Sequence, residues 1–121
     1  MKIYYAHPIN TYGTDLEKKD LDTLSKLGFT ILNPNELIHQ EGYQERKKQN
    51  PDNPMSYFIE LVESCEAFAF RTFPDNTIGA GVGIEMERAN ELGLPIIQLP
   101  SPEPVVLSVE QTRVILKLLK R

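Results

Sequence analysis

Ile3-Tyr4-Tyr5-Ala6, a β-prone run cut off by His7-Pro8, is followed by a helix signal at Thr14 and then by Phe29-Thr30-Ile31-Leu32, a second run ended by Asn33-Pro34-Asn35. Aromatic and β-branched residues suit a pleated surface and Pro cannot donate to a ladder, so each run reads as a strand with its own stop. Between them, Thr14 and Glu17 have the spacing of a capping box. Leu16, Leu21, Leu24 and Leu27 keep roughly to one side, and Gly28 supplies the stop. Strand, helix, strand in this order fits a right-handed parallel crossover.

The alternation continues outward from that unit. Residues 40–53 turn polar, with Arg46-Lys47-Lys48-Gln49-Asn50-Pro51-Asp52-Asn53, and read as a loop. So long a loop is either a mobile, solvated insertion or part of a binding site. Pro54, capped by Asn53, opens a helix that carries Phe58, Leu61 and Val62 and ends near Ser64. Ala67-Phe68-Ala69-Phe70 is a third strand, buried throughout. A loop over residues 71–81 leads to a helix over 82–92, with Met86, Ala89 and Leu92 apolar and Gly93 as its stop. Pro95-Ile96-Ile97-Gln98-Leu99 is a fourth strand, and Pro100-Ser101-Pro102-Glu103-Pro104 is stiff and extended. Residues 105–107 read as a short edge strand, and Ser108 with Gln111 caps a last helix through Leu119. The pattern predicts a single α/β domain over residues 1–121. It is a three-layer sandwich of Rossmann-like or flavodoxin-like kind, with a mainly parallel sheet of about four or five strands flanked by helices.

The 121 residues suit one domain, and 40% hydrophobic with 25% charged residues is ordinary globular composition. A net charge of −4 argues against a nucleic-acid partner. The single cysteine, Cys65, excludes an intrachain disulfide and reads as a small buried residue; with only 2 histidines it also argues against structural zinc. No apolar run approaches the roughly 20 residues of a membrane span. The start of the chain is too soon interrupted for a signal peptide. The expectation is a cytoplasmic protein that engages neither membrane nor nucleic acid.

Ligands of parallel sheets bind beyond the carboxyl ends of the strands, which singles out residues 7–13, 33–36 and 71–83. The last contains Gly79-Ala80-Gly81-Val82-Gly83-Ile84-Glu85, glycines at alternate positions where a loop becomes a helix. Such glycines admit a ligand close to the backbone, and a helix start offers free N–H groups. A dinucleotide fingerprint would follow the first strand, and no Gly-Lys-Ser/Thr is present for a Walker loop, so both are rejected. Glu85 reads as lying in or near the first helical turn, where the dipole favours a carboxylate and keeps it ionised at neutral pH. It is either a simple first-turn acid or a carboxylate suited to attack an electrophilic carbon. Glu87, next but one, points elsewhere. His7 reads as a ligand contact or as half of a chain-turning His-Pro pair, and Arg71 as an anion contact or the partner of an acid. Asn33 and Asn35 suit turn duty, and Arg46-Lys47-Lys48 a solvated face.

Tyr4-Tyr5-Ala6-His7-Pro8-Ile9, Glu66-Ala67-Phe68-Ala69-Phe70 and Gly81-Val82-Gly83-Ile84-Glu85-Met86-Glu87-Arg88-Ala89, with Gly93-Leu94-Pro95-Ile96, together resemble the nucleoside 2-deoxyribosyltransferase-like superfamily. That superfamily includes small N-glycosidases of 2′-deoxynucleoside 5′-monophosphates. The resemblance runs from the first strand to about Leu99. It implies cleavage or transfer of the N-glycosidic bond of a nucleoside or nucleotide, without metal or redox cofactor. Glu85 would be the nucleophile that forms a glycosyl-enzyme intermediate, and Tyr4 the residue that orients it, within hydrogen-bond reach. His7, Asn10, Arg71, Gly79, Gly81 and Gly83 would line the substrate site. The chain departs from the family in having no aspartate across Met55-Ser56-Tyr57-Phe58-Ile59-Glu60, in Gly79 where relatives carry aspartate or serine, and in Asn10-Thr11-Tyr12-Gly13-Thr14 where the hydrolases carry an arginine. These departures bear on base protonation and on holding a phosphate. The alternative is a non-catalytic nucleotide or nucleotide-sugar binding module, and a further one a structural subunit whose glycine turn serves helix packing. Relatives place their sites near subunit interfaces. With the apolar residues Tyr57, Phe58, Leu61 and Val62 and those of 105–119, this implies a homodimer or higher oligomer.

Overall fold

The computed structural model describes residues 1–99 and Val109. Its strands are β1 (Lys2–Ala6), β2 (Thr30–Leu32), β3 (Ala67–Phe70) and β4 (Ile96–Gln98). Its helices are α1 (Asp15–Lys26), α2 (Leu37–Gln49), α3 (Ser56–Glu63) and α4 (Ala80–Glu91), with one 3-10 turn at Ile9–Thr11. The sheet is parallel throughout, in the order β2-β1-β3-β4. The expected edge strand at 105–107 and the helix opening at Ser108 lie outside the described residues.

Alternation along β1 sorts the core into two faces. Tyr4 and Ala6 join Phe68, Phe70, Val62, Val82 and Ala89 under α3 and α4. Ile3 and Tyr5 join Ala67, Ala69 and Leu24 under α1. Every residue of β3 is buried, as a strand covered on both faces requires. Helices on both faces make the α/β sandwich expected from the sequence. The chain leaves β1 toward β2 and returns to place β3 on β1's other side, so the order reverses between β1 and β3 and opens a crevice at their carboxyl ends.

Thr14 caps α1 as expected, its hydroxyl accepting from the Glu17 N–H at 3.4 Å. Gly28 and Gly93 follow the last helical residues at φ 89° and 70°, a backbone that only glycine adopts without strain.

Two expectations are corrected. Residues 40–53 are not a loop, because most of them belong to α2. That helix has no buried residue and so no apolar stripe to announce it; its Gln, Glu, Arg and Lys residues are good helix formers nonetheless. It is fastened sideways to α3 by Tyr43 against Phe58 (centroids 4.9 Å apart) and by Arg46, half-buried rather than solvated, on Glu60 at 2.8 Å and Ser56 at 2.8 Å. The second correction concerns α3, which starts at Ser56 with Met55 as an uncapped lead-in; Asn53 and Pro54 form the preceding turn instead.

Candidate functional site

At the carboxyl end of β1 and β3 lies a cavity of about 400 Å³. That is ample for a small molecule, since such sites start at roughly 300 Å³. Its walls come from the end of β1 and the turn behind it, from Pro34 after β2, from Met55 and Phe58 at α3, and from Phe73 and the start of α4.

Tyr4 and Glu85 meet at this cavity. The buried Tyr4 hydroxyl donates to Glu85 Oε2, and its ring stacks on Phe68 of the neighbouring strand, centroids 5.7 Å apart. Glu85 belongs to the second turn of α4, not the first, and the tilt of helical side chains toward the N-terminus aims its carboxyl back at the cavity. The expectation of a dipole-stabilised, fully ionised carboxylate is therefore corrected. Burial raises the Glu85 pKa to about 7 against the opposing Tyr4 hydrogen bond, so at neutral pH the group is near half-protonation. Burial and the Glu85 charge push the Tyr4 hydroxyl well above its usual range, so it remains a donor.

His7 reaches the cavity wall, but its ring is pinned on all sides. Nδ1 is 3.1 Å from the Tyr5 carbonyl, Nε2 is 2.7 Å from Glu17 Oε2, and the ring stacks on Tyr5 at 3.8 Å and tilts against Tyr12 at 4.6 Å. Burial lowers the His7 pKa. Glu17, instead of returning to the Thr14 N–H as a capping box would have it, accepts from the Gly13 N–H at 3.2 Å and from Asn35 Nδ2 at 3.2 Å. Although burial opposes it, the hydrogen bonds from His7, Gly13 and Asn35 hold its pKa below the usual value.

Asn10 and Gly81 line the cavity, and so does Gly79, whose bare Cα makes room for protein rather than ligand: a Cβ there would stand 3.2 Å from the Phe73 ring. None of the alternate glycines has a positive φ, and Gly83 does not reach the cavity. Arg71 does not reach it either. It is buried and makes a bidentate pair with Asp20, at 2.6 Å and 2.5 Å, while the Tyr5 hydroxyl shares the Asp20 carboxylate at 2.5 Å. Of the alternatives for Arg71, partnership with an acid is the one observed. Asn33 likewise serves a turn, its Oδ1 accepting from the Asn35 N–H at 3.0 Å.

Sequence reasoning missed Tyr12, Glu17, Asp20, Met55, Phe58 and Phe73. Positions 17, 20 and 24 share one helical face, and Leu24 is core, so the spacing itself placed two carboxylates on the buried side of α1. The cavity aromatics gave no local signal, because they converge from separate segments. Among the described residues, no group of His, Cys, Asp or Glu side chains converges as metal ligands do, and no helix is long and apolar enough to cross a membrane.

No protein-family model matches the chain, and neither the curated proteins nor the solved structures contain a significant match to it.

Proposed function

We propose that the chain cleaves or transfers the N-glycosidic bond of a nucleoside or nucleotide, with Glu85 as nucleophile and Tyr4 as the residue that orients it. The observation that carries this reading is the buried Tyr4–Glu85 hydrogen bond on the wall of a cavity lined mostly by aromatic and apolar side chains. Aromatic faces suit a flat base, and a carboxylate in a water-poor site stabilises the oxocarbenium-like state through which the bond breaks. Ionised Glu85 bonds to the anomeric carbon while the C–N electron pair leaves on the base nitrogen, which takes a proton from water. Water or a second base then attacks the same carbon and gives its proton to solvent, and the ester electron pair returns to Glu85.

A second reading, a non-catalytic nucleotide or nucleotide-sugar binding module on the same fold, is favoured by one specific feature. Glu85 is the sole carboxylate among the described residues that line the cavity, so none of them offers a second acid to protonate the leaving base. Release of free base from a panel of deoxynucleosides, ribonucleosides and their 5′-monophosphates separates the two. The enzyme reading expects release that rises with pH through about 7, as Glu85 ionises, and then levels. It also expects Glu85→Gln to lower the rate by about a hundredfold or more, roughly 2.7 kcal/mol of transition-state stabilisation. Ligand binding without base release, unchanged in Glu85→Gln, selects the binding module. A buried, unbridged Cys65 suits a reducing compartment, and we place the activity in the cytoplasm.

A further inference from the structure

We propose that Tyr12, through its hydroxyl, is the residue that recognises the bound nucleoside, donating a hydrogen bond to an acceptor on its base or sugar. This rests on the cavity being a nucleoside site. The assignment follows from accounting for the polar side chains of the wall. The Tyr4 hydroxyl is committed to Glu85, and both ring nitrogens of His7 are committed to Tyr5 and Glu17. That leaves Asn10, exposed on the rim, and Tyr12, half-buried against His7. The Tyr12 hydroxyl has no hydrogen-bond partner among the described residues, and no side-chain polar atom among them is both sealed from solvent and unsatisfied, so this hydroxyl opens on the cavity or on water.

Its placement is built in. Tyr12 closes the 3-10 turn, its N–H bonded to the Ile9 carbonyl at 3.0 Å. The turn is tied from behind by Glu17, which holds His7 under the Tyr12 ring and the Gly13 N–H beside it. Four groups thus converge to fix one aromatic ring whose polar end is left for something else. Burial, together with the negative charges of Glu85 and Glu17, raises the Tyr12 pKa, so the phenol stays protonated and acts as a neutral donor. Such a donor recognises an uncharged carbonyl, ring nitrogen or hydroxyl, the groups that a nucleoside presents.

Tyr12→Phe removes the hydroxyl and keeps the ring on His7. Dissociation constants for 2′-deoxyadenosine, 2′-deoxyguanosine, 2′-deoxycytidine and thymidine, measured in the Glu85→Gln background where turnover is slowed about a hundredfold or more, are expected to weaken about fivefold to tenfold for at least one of them, the effect of one hydrogen bond. Since the hydroxyl has no hydrogen-bond partner among the described residues, the thermal unfolding midpoint is expected to stay unchanged, which separates recognition from a structural role. Dissociation constants within twofold of the parent's, where the parent binds, overturn the assignment and leave the cavity reading standing. Failure of the parent and of the native chain to bind any of the four overturns the cavity reading, and the assignment falls with it.

Discussion

Glu85 is the residue on which chemistry and stability conflict. The residue is 7% exposed and its carboxyl titrates near 7 in the folded chain against an ordinary 4.5, because burial costs the charged form its solvation. The folded state therefore binds the proton more tightly than the unfolded state does. The stability this contributes is present in full below about 4.5 and is gone once pH passes about 7, the reverse of an ion-paired carboxylate. The difference is worth about 3 kcal/mol. Glu85→Gln carries no charge at any pH. It is expected to melt above the native chain at pH 8 and close to it at pH 4, by calorimetry; equal melting temperatures at pH 8 contradict a desolvated carboxylate. Tyr4 was legible as its partner only through the family resemblance, since a tyrosine in a strand has no chemical signature of its own.

At the scale of elements, α2 shows what a periodicity argument misses. It buries no residue, so it has no stripe for a pattern to find, and it exists because α3 offers it specific partners. Gly42 in its middle is one of the contacts. A Cβ there would fall on the Tyr57 ring, whose hydroxyl lies 3.1 Å from His39 Nδ1. Alanine gains about 1 kcal/mol of helix propensity over glycine, whereas overpacking costs about 1–3 kcal/mol. Gly42→Ala is therefore expected to lower the urea midpoint, and a higher midpoint means that Tyr57 swings aside freely. The start of α4 was legible, since glycines mark a loop turning into a helix. What those glycines do was not: Gly79 yields space to Phe73, an aromatic six residues earlier that closes against it only in the folded chain.

At the scale of the whole molecule, the order β2-β1-β3-β4 brings Tyr4 and Glu85, 81 residues apart in sequence, to one crevice. We propose that the chain also self-associates, as the apolar residues Ile9, Leu37 and Ile38 stand 80%, 73% and 67% exposed. Light scattering at micromolar concentration should give at least twice 13.8 kDa; a monomer mass rejects this. The parallel α/β class, the four described strands and the helix stops at Gly28 and Gly93 are all written locally in the chain, because strand periodicity, prolines and glycine backbone freedom act within a few residues. It takes the folded arrangement to give Arg71 to Asp20 rather than to a ligand, to set Glu17 on His7, and to bring the Glu85 titration near 7. Ion pairing and desolvation depend on what the fold places around a charge, and no local spacing records that.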